Sequence, residues 1–353
     1  MIPILYNKNF SGIYDNGLGG LPDCISCIVT EERNGAFELE VVYSADGVNF
    51  ENIKCGNIIR AKPNRIDSDQ AFRIYYISKP LNGRVTIKAE HISYELKYIP
   101  VLPFTANSVE ECFEKLKANS CIENRFIFNT DYDIDAKFTL SQPKSCREIL
   151  GGSEGSILQH FKGEYKFDNF NVYYSQSRGV ERGLAFEYGV NITDMADETD
   201  VSDMVCGVLP YFKNDTSTVI GDIVLVENEQ YEQFFSTEKA IVVDFSNDFQ
   251  DSVPTKEMLE EKAKKYIEQN KLYEPKVNIT VDVVALGDAI GYEAVKGFDN
   301  IGLCDTVAVC YDKLGINCSA KIIKTVYDVL SERYSELEIG NAKQYALTEM
   351  IKR

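Results

Sequence analysis

Four turn dipeptides, Asn16-Gly17, Asn34-Gly35, Asp46-Gly47 and Asn82-Gly83, punctuate the first hundred residues. Asn-Gly and Asp-Gly suit the left-handed backbone of tight hairpin turns, and here they separate short segments in which apolar and polar residues alternate. Phe37, Leu39 and Val41 alternate with Glu38 and Glu40. Phe72-Arg73-Ile74-Tyr75-Tyr76-Ile77 and Val85-Thr86-Ile87-Lys88-Ala89 flank Asn82-Gly83 as the arms of a hairpin. Strands at this regular spacing restrict residues 1–98 to antiparallel sheet, as a barrel or a sandwich.

A chain of 353 residues exceeds what one hydrophobic core supports, so at least two domains are expected. Its 19 Phe and 21 Tyr, with no Trp, favour sheet. Lys and Arg total 37 against 55 Asp and Glu, a formal charge of −18 spread without one long acidic block. That balance argues against specific nucleic-acid binding, which needs clustered cations, and against an anionic membrane surface. No apolar run approaches the roughly 18 residues of a membrane span, so no membrane insertion is expected. Met1–Tyr6 lacks a basic leader, so no signal peptide is expected either. The ten cysteines then read as reduced core residues, as with Cys206, Cys310 and Cys318, rather than as a disulfide scaffold.

The character changes after Pro100 and Pro103. Ser108-Val109-Glu110-Glu111 has the form of a capping box, followed by Val109, Cys112, Phe113 and Leu116 at helical spacing. A second box, Ser145-Cys146-Arg147-Glu148, leads into Ile149, Leu150 and the pair Gly151-Gly152. The stretch Leu150–Tyr188 continues with Gly155, a short apolar turn at Ile157, Leu158 and Phe161, and then strands rich in aromatics. Phe170, Val172 and Tyr174 share one face, Ser177-Arg178-Gly179 turns the chain, and Leu184–Tyr188 forms another strand. Its aromatics are expected to fill an interdomain core. Strands resume near 195, as at Ile220–Val226 and Ala240–Phe245. One helix starts at Pro254-Thr255, with Leu259, Ala263, Tyr266 and Ile267 on one face, and ends at Pro275. Val277–Leu286 returns to strand, and Asn341–Arg353 reads as a helical tail.

Two series resemble each other. Leu39-Glu40-Val41, Cys55-Gly56-Asn57-Ile58-Ile59 and Phe72-Arg73-Ile74 match Ile279-Thr280-Val281, Cys304-Asp305-Thr306-Val307 and Ala320-Lys321-Ile322. The second step is nearly equal in the two series, whereas the first requires an insertion. The pattern suggests related β-barrels near the two ends of the chain.

No catalytic constellation stands out. Cys24-Ile25-Ser26-Cys27 is a lone CxxC without a second pair at zinc spacing. The two histidines, His91 and His160, lie outside any HExxH or deaminase-type context. Cys146 with His160 would make a thiol peptidase only if the fold joined them with an activated thiolate. Gly151-Gly152-x-x-Gly155 lacks the Lys-Ser/Thr of a phosphate loop and has Glu154 beside it. Carboxylate pairs such as Asp131 with Asp133, or Glu260 with Glu261, are unremarkable among 55 acids. No catalytic residue, metal ligand or cofactor is therefore assigned.

Three blocks resemble the tail-tip hub proteins of tailed phages and prophages, a family also called prophage endopeptidase tail or tail-associated lysin. The first is Gly35–Glu40 with Phe72–Tyr75 and Ala89–Tyr94. The second runs from Leu150–Leu158 through Gly163-Glu164-Tyr165, Phe167-Asp168-Asn169 and Ser177-Arg178-Gly179 to Tyr188–Asn191. The third is Asp305–Val309, Ala320–Ile322 and Leu337–Asn341, with Cys304 where the family usually has Gly. The resemblance implies a β-rich α+β, multidomain hub with two β-barrel domains and outer mixed α/β domains. Residues 1–98 would form the first barrel and 99–194 the outer α/β domain with return strands. Residues 195–340 would form the second barrel, with a helical insertion around 254–274, and 341–353 the helical tail. Gly151, Gly152, Gly155, Gly163, Glu164, Tyr165, Asp168, Asn169, Arg178 and Gly179 would be its structural motif. The implied partners are two further copies in a homotrimeric, pseudo-sixfold ring, distal-tail or tube-end proteins, and a fibre, spike or tape-measure protein. Such a chain would be made in the bacterial cytoplasm and built into a tail, with DNA or tape-measure protein passing through. Some relatives continue into a peptidoglycan-cleaving or receptor-binding region, which is not expected beyond Arg353. The acidity would then serve either to repel DNA from the ring or simply to keep a large assembly soluble.

Overall fold

A computed structural model describes residues 1–12, 15–78, 80, 82–187, 192–214, 216–249, 252–274, 276–283, 300–311 and 316–340. The chain divides into two units, Met1–Ala196 with Ile279–Arg353, and Asp197–Asn278. The first carries strands β1 (Ile4–Tyr6), β2 (Gly19–Gly20), β3 (Cys24–Glu32), β4 (Phe37–Ser44), β5 (Ile58–Ala61), β6 (Gln70–Ile77) and β7 (Arg84–His91). After a 3-10 turn at Ile92–Tyr98 come β8 (Pro100–Val101), β9 (Phe104–Ser108), α1 (Val109–Ala118), β10 (Ile127–Thr130), β11 (Asp135–Leu140) and β12 (Lys144–Ser145). Then follow α2 (Cys146–Leu150), α3 (Ile157–Phe161), β13 (Glu164–Asp168), β14 (Asn171–Ser175), β15 (Glu181–Glu187) and β16 (Ile192–Asp200).

The second unit holds β17 (Gly207–Lys213), β18 (Thr218–Ile220), β19 (Val224–Leu225), α4 (Glu229–Phe234), β20 (Ala240–Asp244) and α5 (Lys256–Asn270). Back in the first unit's sheet are β21 (Lys276–Val283), β22 (Thr306–Tyr311), β23 (Ile316–Asp328) and β24 (Arg333–Gly340). In the second unit β17 is flanked by β18 and β19 on one side and by parallel β20 on the other. Leu259, Ala263 and Ile267, at helical spacing along α5, are buried with Val208 and Phe212 of β17. Thr255 caps α5 by accepting the Met258 N–H. The expected strand Ile220–Val226 is two short strands, because Gly221 turns the chain and its N–H returns to the Pro210 carbonyl.

The main sheet has thirteen strands, in the order β16-β21-β24-β23-β3-β4-β7-β6-β5-β1-β2, with β15 and β22 extending it from β23. Among the described residues this path ends at β16 and β2 without closing. The strands expected in the two barrels thus belong to one continuous sheet, with no closed barrel among the described residues. The reason lies in β23, whose 13 residues serve two neighbours. Its first half pairs with β22 (Thr306↔Lys321), and its second half pairs antiparallel with β3 (Lys324↔Glu32 to Asp328↔Ile28).

Within that sheet the chain repeats itself. The order β3-β4-β7-β6-β5-β1 recurs as β16-β21-β24-β23-β22-β15. The registers agree as well. In the first copy Arg73↔Glu90 and Ile74↔Ala89 precede a bulge, then Tyr76↔Lys88 and Ile77↔Ile87. In the second, Lys321↔Gly340 and Ile322↔Ile339 precede a bulge, then Lys324↔Glu338 and Thr325↔Leu337. The turn leading into each short strand also matches: Gly56 N–H bonds Ile74 O and Ile74 N–H bonds Asn57 O, while Cys304 N–H bonds Ile322 O and Ile322 N–H bonds Asp305 O. Cys304 therefore corresponds to Gly56, one residue from the Cys55 expected from sequence, and both are left-handed, at φ 73° and 90°. The copies differ at their last strand: β1 meets β5 antiparallel, whereas β15 meets β22 parallel.

The α/β portion packs on itself. Val109, Cys112, Phe113 and Leu116 of α1, Cys146, Ile149 and Leu150 of α2, and Phe161, Tyr165, Val172 and Tyr174 share one core. Ser145 and Glu148 form the full capping box of α2. At α1, Ser108 accepts the Glu111 N–H, but the Glu111 carboxylate turns to the Asn107 N–H instead. Most aromatics of Leu150–Tyr188 thus fill this layer's own core; Phe170 also reaches Phe10, with ring centroids 6.4 Å apart. Asn341–Arg353, Tyr188–Asn191, Val284–Leu286 and Pro275 lie outside the described residues, as do the side chains of Cys310 and Cys318.

Candidate functional site

The ten motif residues fall into three groups. Gly151, Gly152 and Gly155 form the turn between α2 and α3: the Gly151 N–H caps the helix on Arg147 O at 3.0 Å, and Gly152 is left-handed at φ 96°. The Gly155 N–H meets Gln159 Oε1 at 2.6 Å. The turn is filled by the protein's own groups, with Lys144 Nζ donating to Ser153 Oγ and Glu154 O. It is a chain reversal.

Asp168 and Asn169 form the hairpin turn between β13 and β14, with Asn169 at φ 53°. That turn docks on the start of β6. Asn169 Oδ1 accepts the Ala71 N–H at 2.9 Å, its own N–H donates to Gln70 Oε1 at 2.7 Å, and Gln70 Nε2 donates to Asp168 Oδ1 at 2.9 Å. Gln70 also meets His91 Nε2 at 3.1 Å. His91 is stacked on Phe37, and burial drives its pKa down to about 3, so the ring is neutral.

Gly163, Glu164, Tyr165, Arg178 and Gly179 form the third group, a polar contact between distant strands of the first unit. The β3–β4 turn reaches it through Asn34, whose Nδ2 donates to Gly163 O at 3.1 Å and whose Oδ1 accepts the Tyr165 N–H at 2.8 Å. Glu164 is buried yet surrounded by donors: Lys321 Nζ at 2.7 Å, an Arg33 guanidinium nitrogen at 2.9 Å, and the Arg178 N–H at 2.7 Å. Burial alone pushes this carboxyl up, but the three donors outweigh it and hold it below the usual carboxylate range. Arg178, itself buried, donates to Glu31 Oε1 at 2.8 Å and to Tyr165 O at 3.3 Å, with Asp67 at 3.9 Å. Burial opposes its charge, and Glu31 restores it, leaving the guanidinium more firmly protonated than usual. Gly179 lies against the left-handed turn at Cys304. A Cβ built there would sit 1.9 Å from Cys304 O. The next residues are tied to the same turn, with Val180 N–H on Asp305 Oδ1 at 2.9 Å and Arg182 Nε on Asp305 Oδ2 at 2.8 Å.

The segment after β14 therefore runs as a strap across β3, β13, β23 and the turn before β22. Buried opposite charges and their hydrogen bonds fix one geometry there, although the buried Arg33 Nε has no hydrogen-bond partner. Arg33, Asp67, Arg182 and Lys321 escape a local reading, because their partners are far away in sequence. Glu31 carries a signal, since it shares the strand parity of buried Cys27 and Val29, and a carboxylate on that face needs a partner.

Neither Cys146 nor the Cys24 and Cys27 pair is poised for thiolate chemistry. Burial pushes Cys146 far above the ordinary thiol range, and His160 packs edge-on against Phe138 and Phe161. Cys24 and Cys27 lie within strand β3; burial raises Cys24 to about 12 and Cys27 well above its usual value. The described residues contain no group of His, Cys, Asp and Glu able to hold a metal, and no helix among them is long and apolar enough to cross a membrane.

Residues 180–349 match the family model described as prophage endopeptidase tail. No curated protein matches the chain in sequence. Among solved structures, prophage tail protein gp18 from Listeria monocytogenes aligns with a TM-score of 0.64 at 14% identity, covering 100% of this chain and 99% of its own. The 43 kDa tail protein of prophage MuSo2 from Shewanella oneidensis gives 0.64 at 11%, covering 98% and 100%. A tail protein from Neisseria meningitidis gives 0.61 at 11%, covering 98% of each. The chain thus has the fold of these tail proteins along its length, and residues 180–349 resemble the prophage endopeptidase tail family in sequence.

Proposed function

We propose that this chain is the structural hub of a phage or prophage-derived tail tip, acting through geometry rather than catalysis. The observation that carries the proposal is the internal repeat, two six-strand arrays with one strand order and with matching registers in the β6–β7 and β23–β24 ladders. Three copies of such a chain present six related arrays, which suits a joint between a sixfold tube and a threefold tip. The partners would be two further copies, the tube-end or distal-tail proteins on one side, and a fibre, spike or tape-measure protein on the other. DNA or tape-measure protein would pass through the ring without specific binding. With a formal charge of −18, acidic walls would repel duplex phosphates over a Debye length of roughly 8 Å. A ring lumen lined with Lys and Arg would contradict that part of the proposal.

The buried Arg178–Glu31 and Glu164 contacts would hold the strap, and with it both arrays, in one arrangement. A test is the mass in solution together with negative-stain images, where a ring of three chains supports the hub and a chain that never assembles opposes it. The word endopeptidase in the family's description motivates a second reading, a tail-associated lysin. Loss of turbidity of purified cell walls with well-folded protein would favour it, and no clearing by assembled rings would remove it.

A further inference from the structure

In the second unit, α5 covers one of the sheet's two faces. Val208, Phe212 and Val224 are buried there with Leu259, Ala263 and Ile267. The ladder puts the alternate residues on the opposite face: Leu225 and Ala240 lie opposite Gly207, Val242 opposite Leu209, and Ile220 opposite Tyr211. Gly207 lets its neighbours close over the central strand, since a Cβ there would sit 2.5 Å from Leu225 Cδ2 and 3.1 Å from Ala240 Cβ. The result is an apolar surface that faces water, with Ile220, Leu225 and Val242 at 53%, 41% and 65% exposed. Large apolar side chains gathered on one exposed face, with charge at its border, mark a surface for another molecule.

The charge at that border selects the partner. Residues 201–255, which hold β17–β20 and α4, contain ten Asp and Glu against two Lys, whereas α5 with its C-terminal turn, 256–274, balances five against five. Of the two Lys, Lys239 lies over the Phe235 ring, 3.2 Å from its centroid, and Lys213 ends β17. Exposed Glu227 and Glu238 follow Leu225 and precede Ala240 by two residues, at one end of the apolar face. Exposed Asp244 lies at the other end, bonded to the Tyr211 hydroxyl at 2.8 Å. A second copy laid on this face would set these carboxylates against their own kind. We propose that this outer face docks a different protein, through a segment whose apolar side covers Ile220, Leu225 and Val242 and whose flanking Lys or Arg meet the acidic border. Apolar burial supplies the affinity, and the border supplies the choice of partner. The contact stands on the second unit by itself, and ring assembly does not require it.

Peptide binding to the full chain tests it. Two designed amphipathic peptides share one leucine face and differ only in its flanks, Lys in one and Glu in the other, and fluorescence anisotropy follows each. The Lys-flanked peptide is expected to bind, more weakly as salt rises, and the Glu-flanked peptide is not. Ile220→Asp with Val242→Asp should weaken that binding at least about tenfold while the circular dichroism and Tm stay native, because both side chains are exposed. The milder Val242→Thr, which keeps the shape and adds a hydroxyl, should weaken it in the same direction. Attraction by net charge alone predicts the reverse, since two added carboxylates would tighten binding of a cationic peptide. Tighter or unchanged binding by the Asp variant overturns the proposal, as does equal binding of the two peptides or binding of neither. A native chain that dimerises, and stops doing so with Val242→Asp, assigns the face to a second copy and overturns it as well. None of these outcomes bears on whether three chains close a ring, so the hub reading stands or falls separately.

Discussion

Replacing Arg178 with Met removes the guanidinium and keeps the aliphatic stem. The side chains of Arg178 and Glu31 are only 10% and 5% exposed, and their bond is 2.8 Å long. The variant strands Glu31 as a buried carboxylate without its cation and frees the Tyr165 carbonyl. Breaking one side of a buried pair typically costs about 3–5 kcal/mol, so about 4 kcal/mol is expected. The first unit has roughly 270 residues, whose unfolding entropy near 60 °C is about 0.57 kcal/mol per degree, which converts that loss into a fall of about 7 °C in Tm. Scanning calorimetry is the suitable assay, because two units can melt separately and the affected transition is then visible by itself. The double variant Arg178→Met with Glu31→Met removes both charges, and it should recover to within about 1–2 kcal/mol of the native protein. A single variant that costs under about 1 kcal/mol, or a double variant that loses the sum of both single losses, would refute the strap as a charge-locked joint.

Gly179→Ala places a Cβ 1.9 Å from a backbone oxygen that cannot rotate away, so the strap must shift, and a loss above about 3 kcal/mol is expected by thermal unfolding. Gly155→Ala is the control: its φ of 73° is strained for Ala but its surroundings are open, so about 1 kcal/mol is expected. Gly163→Val meets the Tyr174 ring at 2.4 Å, and Gly152→Val forces a branched side chain into φ 96°; soluble yield and assembly should fall for both, and normal assembly would contradict the structural role of this turn. Acid should destabilise in two stages. His91 has a folded pKa of about 3, below its ordinary 6.5, so the stability it contributes is full above 6.5 and is lost as pH falls towards 3. Glu164 and Asp67 are also depressed, by donors that outweigh burial, so their contribution is full above the ordinary carboxylate range and is lost as pH falls through their lower folded values. His91→Gln should remove the first stage from a denaturation series against pH, and an unchanged profile would contradict the assignment.

Much of the sheet was legible because hairpin turns are local. Asn34 and Asn82 are left-handed at φ 53°, as their Asn-Gly dipeptides require, and the Ser145–Glu148 box caps α2. The repeat was visible as strand pattern, but its register was off by one, since only the ladder shows that Cys304 matches Gly56. What escaped was long-range. Nothing local in Ile316–Asp328 announces that half of β23 joins β3, a pairing that links the strands of the two expected barrels in one sheet. The strap was readable only in part. Its Glu164, Arg178 and Gly179 stood out in sequence, but Lys321, Glu31 and Asp67 become their partners only when the sheet brings distant strands together.

The most direct test of the hub is the symmetry of the assembled protein, measured as mass in solution with class averages from negative-stain images. The repeat predicts a ring of three chains whose averages show six similar lobes around a central opening. A stable monomer, or a closed twofold dimer that leaves no opening, would contradict it.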